Sequence, residues 1–278
     1  MGLIRRERVA VMNQHYQNYS LDYFLDAQQR IGFRSIELWC SAQHFWLDDQ
    51  RYGDVQALQR KLRSRDLQVV SLTCPSFSYQ YQYTPFSPQV FSYCLDYFKK
   101  GLKVAEDLGC SVMTVNSGWG CFDRDVDAAW NASRELLCAL AEEAQCRGVT
   151  LALESLRDDE TTLAYNLAGT KKLIESVGHP SLKVMVDTIA SGASGESLED
   201  WFAVFGDKLI HMHFLDGDPY VHNIWGDGNY PLEKMLQCLQ RNGYTGYLVQ
   251  EVADERYFAD PVAADKKNYQ VLSRFFTD

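Results

Sequence analysis

The sequence has no apolar run approaching the roughly 20 residues that span a bilayer, no C-x-x-C pair and no glycine-rich turn after its first expected strand. Each absence removes a class of protein. Without a spanning run, no membrane association is expected. The opening M-G-L-I-R-R-E-R also lacks an apolar leader core, and Arg6 stands where a myristoylation signal needs Ser or Thr. A cytoplasmic location is therefore expected. The eight cysteines (40, 74, 94, 110, 121, 138, 146 and 238) are scattered, several inside apolar patterns, and read as reduced thiols rather than bridges or thiolate metal ligands. Basic residues are in deficit as well: 27 Lys and Arg face 37 Asp and Glu, for a formal charge of −10. No basic stripe is available to neutralise phosphates, so no nucleic-acid partner is expected.

What is present is a regular alternation. With 46% hydrophobic residues in 278, the chain can bury one large core, and it reads as one domain over residues 1–278 with no linker. Apolar strands are expected at Arg8–Asn13, Ser35–Trp39, Gln68–Cys74, Ser111–Ser117, Val149–Ser155, Leu182–Thr188, within Lys208–Gly217 and at Thr245–Val252. Helical patterns fall between them, opened by cap residues such as Ser20 and closed by glycines such as Gly32, Gly109 and Gly178. Eight strand–helix repeats of about 35 residues predict a single-domain α/β fold, the (β/α)8 TIM barrel. The rival, a doubly wound open sheet, would place a glycine-rich phosphate turn after strand one, where M-N-Q-H-Y-Q-N stands instead.

Four successive strands end on ligand-type side chains: Glu154 in T-L-A-L-E-S, Asp187 in L-K-V-M-V-D-T, His213 in L-I-H-M-H-F and Glu251 in Y-L-V-Q-E-V. In a barrel these ends converge on the catalytic face. A lone strand-end carboxylate has a simpler role as a cap, but four in adjacent strands predict a divalent-metal site. Three carboxylates and one imidazole suit Mn²⁺, Mg²⁺ or Co²⁺, with Zn²⁺ as the alternative. His211 shares the face of His213 one layer deeper and reads as a core histidine, or as a partner behind the ligands. Gln250 is expected to face the helices, where an apolar residue is easier to place, and the pattern offers no reason for it.

The stretches G-F-R-S-I-E-L-W, L-A-L-E-S-L, L-K-V-M-V-D-T, H-M-H-F-L-D-G-D and G-Y-T-G-Y-L-V-Q-E-V resemble, in order and spacing over almost the whole chain, the xylose-isomerase-like barrel superfamily. The pattern is nearest to its fructoselysine 3-epimerase and ketose 3-epimerase branch. The resemblance implies one metal on Glu154, Asp187, His213 and Glu251, with the two glutamates doubling as acid and base. It also implies a substrate-contacting glutamate at Glu160, which can equally be a solvated charge in R-D-D-E. The expected reaction is epimerisation of a ketose or ketosamine derivative through an enediolate. A sugar isomerase or dehydratase of the same superfamily and a non-catalytic carbohydrate-binding barrel are the alternatives.

The sequence also departs from its relatives. Ala190 stands where tagatose-type epimerases carry a substrate histidine, and no arginine follows His213 at the expected distance. The zinc apurinic endonucleases of the superfamily need a histidine at position 190 and an aspartate at the position of Tyr220. One metal rather than three is therefore expected. Aromatics crowd the strand-to-helix loops, in Phe77–Phe86 and at Trp46, Trp119 and Trp225. They suit either the C–H face of a sugar or the interface of a homo-oligomer. Trp119 and His222 are candidate substrate contacts, His222 being otherwise a solvent-facing loop histidine. The aromatic stretch is expected over the barrel mouth, and Arg157 is a candidate partner for an anionic group.

Overall fold

Short runs rich in Val, Leu and Ile between glycine- and aspartate-bearing loops leave the chain little choice but buried parallel strands. A computed structural model describes residues 2–48, 54–76, 80–218 and 220–277. Its strands are β1 (Val9–Met12), β2 (Ser35–Trp39), β3 (Gln68–Thr73), β4 (Val112–Asn116), β5 (Thr150–Glu154), β6 (Leu182–Asp187), β7 (Leu209–His213) and β8 (Tyr247–Gln250). They pair in chain order, and β8 returns to pair with β1, closing the barrel. Each lies inside its expected span. A further short strand, Ile4–Arg5, pairs in parallel with Phe276–Thr277.

The crossovers are α1 (Leu21–Ile31), α2 (Val55–Arg63), α3 (Pro88–Leu108), α4 (Val126–Cys146), α5 (Leu167–Val177), α6 (Thr188–Ala193), α7 (Leu198–Phe205), α8 (Leu232–Arg241) and α9 (Pro261–Ser273). Their ends follow local chemistry. The side chains of Ser20, Ser87 and Asn166 accept from the N–H of Tyr23, Val90 and Gly169, satisfying donors that the first turn leaves free. Gly32 and Gly178 end α1 and α5 at φ of 112° and 61°, a region where a side chain would be strained. The sequence pattern did not reveal α6, whose six residues begin directly at the end of β6. Among the described residues, no helix is long and apolar enough to cross a membrane. All eight cysteines are free.

The larger core lies between barrel and helices, with Phe24, Leu102, Leu136 and Trp201 among its fully buried members. Ala10, Met12, Val70 and Val249 form a small apolar cluster of their own, and Met12 and Val249 pair in register with Glu37 and His213. Two ladders slip register: Ile36 faces Val69 while Glu37 faces Ser71, and Val184 faces Leu209 while Met185 faces His211. Val70 and Ile210 are the extra residues, and such bulges re-aim the side chains that follow them. Gln250 does face the helices: it is fully buried and accepts from Asn268 Nδ2 of α9 at 3.0 Å. Asn268 Oδ1 in turn accepts from Trp225 N at 3.0 Å, so the amide joins strand, helix and loop.

A second buried knot fixes the first strand-to-helix turn, residues 14–16. Asp265 of α9 accepts from His15 Nε2 (2.8 Å), Tyr16 Oη (2.8 Å) and Gln28 Nε2 (2.7 Å), with His15, Tyr16, Gln28 and Asp265 all fully buried. Replacing Asp265 with alanine would leave these groups unpaired, at a cost of about 3–5 kcal/mol. Urea unfolding of the variant should show that loss, with Asp265→Asn intermediate. A loss under about 1 kcal/mol would mean that the knot does not hold the turn.

Candidate metal and active site

The ladders place the four strand-end residues. Asp187 lies opposite His213 across β6 and β7, Glu154 closes β5 opposite Asn116, and Glu251 follows directly after β8. One potential ligand atom from each of Glu154, Asp187, His213 and Glu251 lies within 4.8 Å of all the others. His213 Nδ1 sits among them, 2.7 Å from Glu154 Oε1, 2.8 Å from Glu251 Oε2 and 3.7 Å from Asp187 Oδ2. Yet this nitrogen is buried and has no hydrogen-bond partner. Three acidic groups converging on an orphaned imidazole nitrogen is an arrangement that a divalent cation satisfies and a hydrogen-bond network does not.

The electrostatics follow from crowding. Burial raises Glu154 to about 7, against the pull of His213 and helped by Glu251 and Asp187. Burial also works to raise Asp187, but His222 and His213 overcome it and hold the carboxyl well below the usual range. Desolvation opposes a charge on His213, whereas Glu251, Glu154 and Glu37 raise its pKa well above the ordinary value. For His222, Asp187 outweighs burial and lifts it to about 9. Asp187 divides its oxygens: Oδ1 caps α6 by accepting from Ile189 N (2.5 Å) and Ala190 N (3.2 Å), while Oδ2 faces the cluster.

The cluster forms part of the lining of a cavity of about 720 Å³ that also meets Glu160, Arg157, His222, Ala190 and Tyr220. Glu160, rather than being a solvated charge, lines this space; its Oε2 accepts from Arg157 N at 2.9 Å, and its Oε1 is 3.2 Å from Arg157 Nη2. His222 is not solvent-facing either. Its Nε2 lies 3.1 Å from Asp187 Oδ2 and 3.9 Å from Glu251 Oε2, which puts it beside the four strand-end groups. Arg157 is already committed to Asp159 (2.9 Å), Glu160 and the carbonyl of Tyr220 (3.1 Å). It offers no free charge to an anion.

Several expectations about the aromatics are corrected. Trp119 does not line the cavity; its carbonyl is turned to Thr162 N, 3.0 Å away, and Asn116 and Trp39 line the space instead. Trp225 is a core residue packed on Phe214, donating Nε1–H to the Phe214 carbonyl at 3.1 Å. Trp46 rests against Tyr81 and Tyr97. Within the stretch expected over the mouth, Phe77, Ser78 and Tyr79 lie outside the described residues. Tyr81 and Tyr83 stack on Tyr97 and Phe98 of α3 with ring centres 3.6 and 4.2 Å apart. Thr84 approaches Gly118 after β4. Tyr81 and Tyr83 thus anchor the loop to its helix, because stacking there buries more apolar surface than a wet cavity wall offers, whereas Phe86 is exposed.

The residue that the sequence pattern did not flag is Glu37, in the middle of β2 and fully buried. Its Oε1 accepts from Thr73 Oγ1 (2.7 Å) and His213 Nε2 (3.0 Å). Its Oε2 accepts from His211 Nε2 (2.7 Å) and from Ser71 Oγ. Burial would raise its pKa, but His213 and His211 hold it well below the carboxylate range. The available signal was a charge at an inward position of an otherwise apolar strand, S-I-E-L-W.

The comparisons with known proteins agree with this architecture. The family model for the xylose isomerase-like TIM barrel matches residues 25–276, and the chain belongs to that family. Fructoselysine 3-epimerase of Escherichia coli O157:H7 is 25% identical over 254 residues, covering 91% of this chain and 90% of that protein. D-psicose 3-epimerase of Ruminiclostridium cellulolyticum is 22% identical over 234 residues, 82% of this chain and 77% of the other. Among solved structures, 3-keto-D-glucoside 4-epimerase from E. coli superposes with a TM-score of 0.81 at 17% identity, covering 96% and 99% of the two chains. The IOLI protein with a bound zinc atom gives 0.79 at 16% identity, covering 98% and 100%.

Metal binding must displace protons from this cluster. Below about 7 Glu154 is protonated and cannot serve as an anionic ligand, so affinity should fall as the pH drops through that value. Each displaced proton is worth about tenfold per pH unit. Titrating the metal-free protein with Mn²⁺ at about pH 6 and about pH 8 should give distinctly tighter binding at the higher value. Equal affinities would show that the buried carboxylates do not receive the metal.

Proposed function

We propose that this chain is a metal-dependent sugar epimerase of the 3-epimerase type, acting on a ketose or ketosamine derivative with Glu154 and Glu251 as its acid/base pair. The observation that carries the reading is the placement of those two carboxylates around His213 Nδ1, 2.7 and 2.8 Å from it, where both line one cavity. The chain is an isomerase-type enzyme, as are its curated relatives by name. The finer assignment rests on the site. A divalent cation on Glu154, Asp187, His213 and Glu251 would draw electrons from a ketose carbonyl and its neighbouring hydroxyl, acidifying the carbon between them. The oxygen-rich donors favour Mn²⁺, Mg²⁺ or Co²⁺. The zinc in the IOLI protein keeps Zn²⁺ as the alternative.

The protein's own groups then do the proton work. One glutamate takes the proton from the acidified carbon, and the other returns a proton to the opposite face. The centre inverts and no atom is lost. Burial favours the protonated form of Glu154, which suits a group that takes up and returns a proton. Asp187 and His213 act only as ligands, the first with its other oxygen committed to α6. Glu160 and His222 are placed to meet substrate hydroxyls along the wall. Among the described residues the lining is acid-rich, adding Glu160 and Asp254 to the cluster, and the arginine found there, Arg157, is paired. This favours a neutral or amine-bearing sugar over a phosphorylated one, in keeping with the name of the fructoselysine relative.

Turnover of a ketose or ketosamine in deuterated water should place deuterium at the inverted carbon with no loss of hydroxyl. Glu154→Gln or Glu251→Gln should lower the rate by roughly 10²–10⁴-fold, and excess metal should not restore it. Asp187→Asn should recover partly with metal. A product lighter by one water would establish a dehydratase instead. Ligand binding without any exchange would reduce the protein to a carbohydrate-binding barrel.

A further inference from the structure

Behind the cluster, His213 presents its second nitrogen to the barrel interior. Nε2 lies 3.0 Å from Glu37 Oε1. Strands β2 and β7 are not neighbours in the ring, so this bond crosses the interior and is not a by-product of strand pairing. Glu37 is itself held without freedom. Each oxygen takes two donors, Thr73 and His213 on Oε1, Ser71 and His211 on Oε2. Thr73 is braced by Thr114 Oγ1 at 2.6 Å. Both register shifts of the barrel occur at these contacts, beside Glu37–Ser71 and beside His211. The backbone is thus deformed only where it delivers this carboxylate and its donors.

A carboxylate with all its lone-pair positions engaged is an acceptor only. It therefore requires a proton on Nε2 of the facing imidazole, so the nitrogen that gives up its proton to a metal is Nδ1, which faces Glu154, Asp187 and Glu251. We infer that Glu37 is the positioning residue of the metal site: it sets the tautomer and ring orientation of His213 across the barrel, so that Nδ1 and not Nε2 is the ligand atom. This rests on the metal-site reading proposed above, and adds to it a residue from the opposite side of the barrel that touches neither metal nor sugar. A carboxylate behind a ligating histidine commonly contributes 10–100-fold to metal affinity.

The test uses full-length metal-free protein and Mn²⁺ alone, with free Mn²⁺ followed by electron paramagnetic resonance. Glu37→Gln should weaken Mn²⁺ binding roughly 10–100-fold, because the amide no longer imposes a proton on Nε2. Ser71→Ala removes a donor from the other oxygen, so it can destabilise the fold while leaving Mn²⁺ affinity within about threefold of wild type. A folded Glu37→Gln chain that binds Mn²⁺ as tightly as wild type would overturn the inference and spare the proposed function. A wild-type chain that binds no Mn²⁺ would remove both. Should Glu37→Gln not fold, ¹⁵N-histidine NMR of the Zn²⁺-loaded wild type decides. Nδ1 coordination with a proton retained on Nε2 is expected, and coordination through Nε2 would refute the assignment.

Discussion

The constraint from which the rest follows is the crowding of Glu154, Asp187 and Glu251 around one imidazole nitrogen. A closed ring of parallel strands brings the ends of β5 to β8 into a volume where like charges cannot separate. In water these carboxylates would repel weakly, but in a partly desolvated pocket the repulsion is several times larger. The protein relieves it in part by lifting Glu154 toward neutrality and pairing Asp187 with His222. What is left is an electrostatic deficit of one cation. That deficit is what a divalent cation would fill, and burial with the same crowding raises Glu154 to about 7.

Keeping such a cluster in register requires a polar interior, which is unusual for a barrel normally packed with branched apolar layers. Here the apolar side chains of Ala10, Met12, Val70 and Val249 share the barrel with Glu37, His211, Ser71 and Thr73, Met12 lying level with Glu37. Burying a carboxylate costs several kcal/mol unless every lone pair is satisfied, and Glu37 has four donors. The interior thus trades hydrophobic packing for fixed orientation, with bulges at Val70 and Ile210 allowing the side chains to meet. His213 joins this network to the carboxylate cluster, turning Nε2 to Glu37 and Nδ1 to Glu154 and Glu251.

The loops above the ring owe their shape to attachments that leave the cavity open. Asp265 holds the turn containing Gln14, which lines the cavity; Tyr81 and Tyr83 are stacked on α3; Arg157 ties Glu160 to Tyr220. Ala190 keeps the wall small beside Asp187, where a larger side chain would intrude on the cavity. Binding residues therefore ride on irregular segments, but each segment is fastened to a helix or strand.

Strand number, the barrel class and the convergence of the four strand-end side chains were readable in the linear chain, because strand parity, cap residues and the meeting of carboxyl ends are local or fold-general rules. Even the oddity of Gln250 was legible, though its partner Asn268 was not. Tertiary structure alone decided the roles of residues whose partners lie far off in sequence. Glu37 meets His211 and His213 across 174 and 176 residues, and His222 turns back 35 residues to Asp187. Trp225 looked like a loop aromatic of the catalytic face by position, yet packing on Phe214 makes it a core residue. Helix α6 escaped notice because its cap, Asp187, was already the last residue of a strand. Periodicity reports which face a residue occupies; it carries no information on what the opposite side of a closed barrel will present to it.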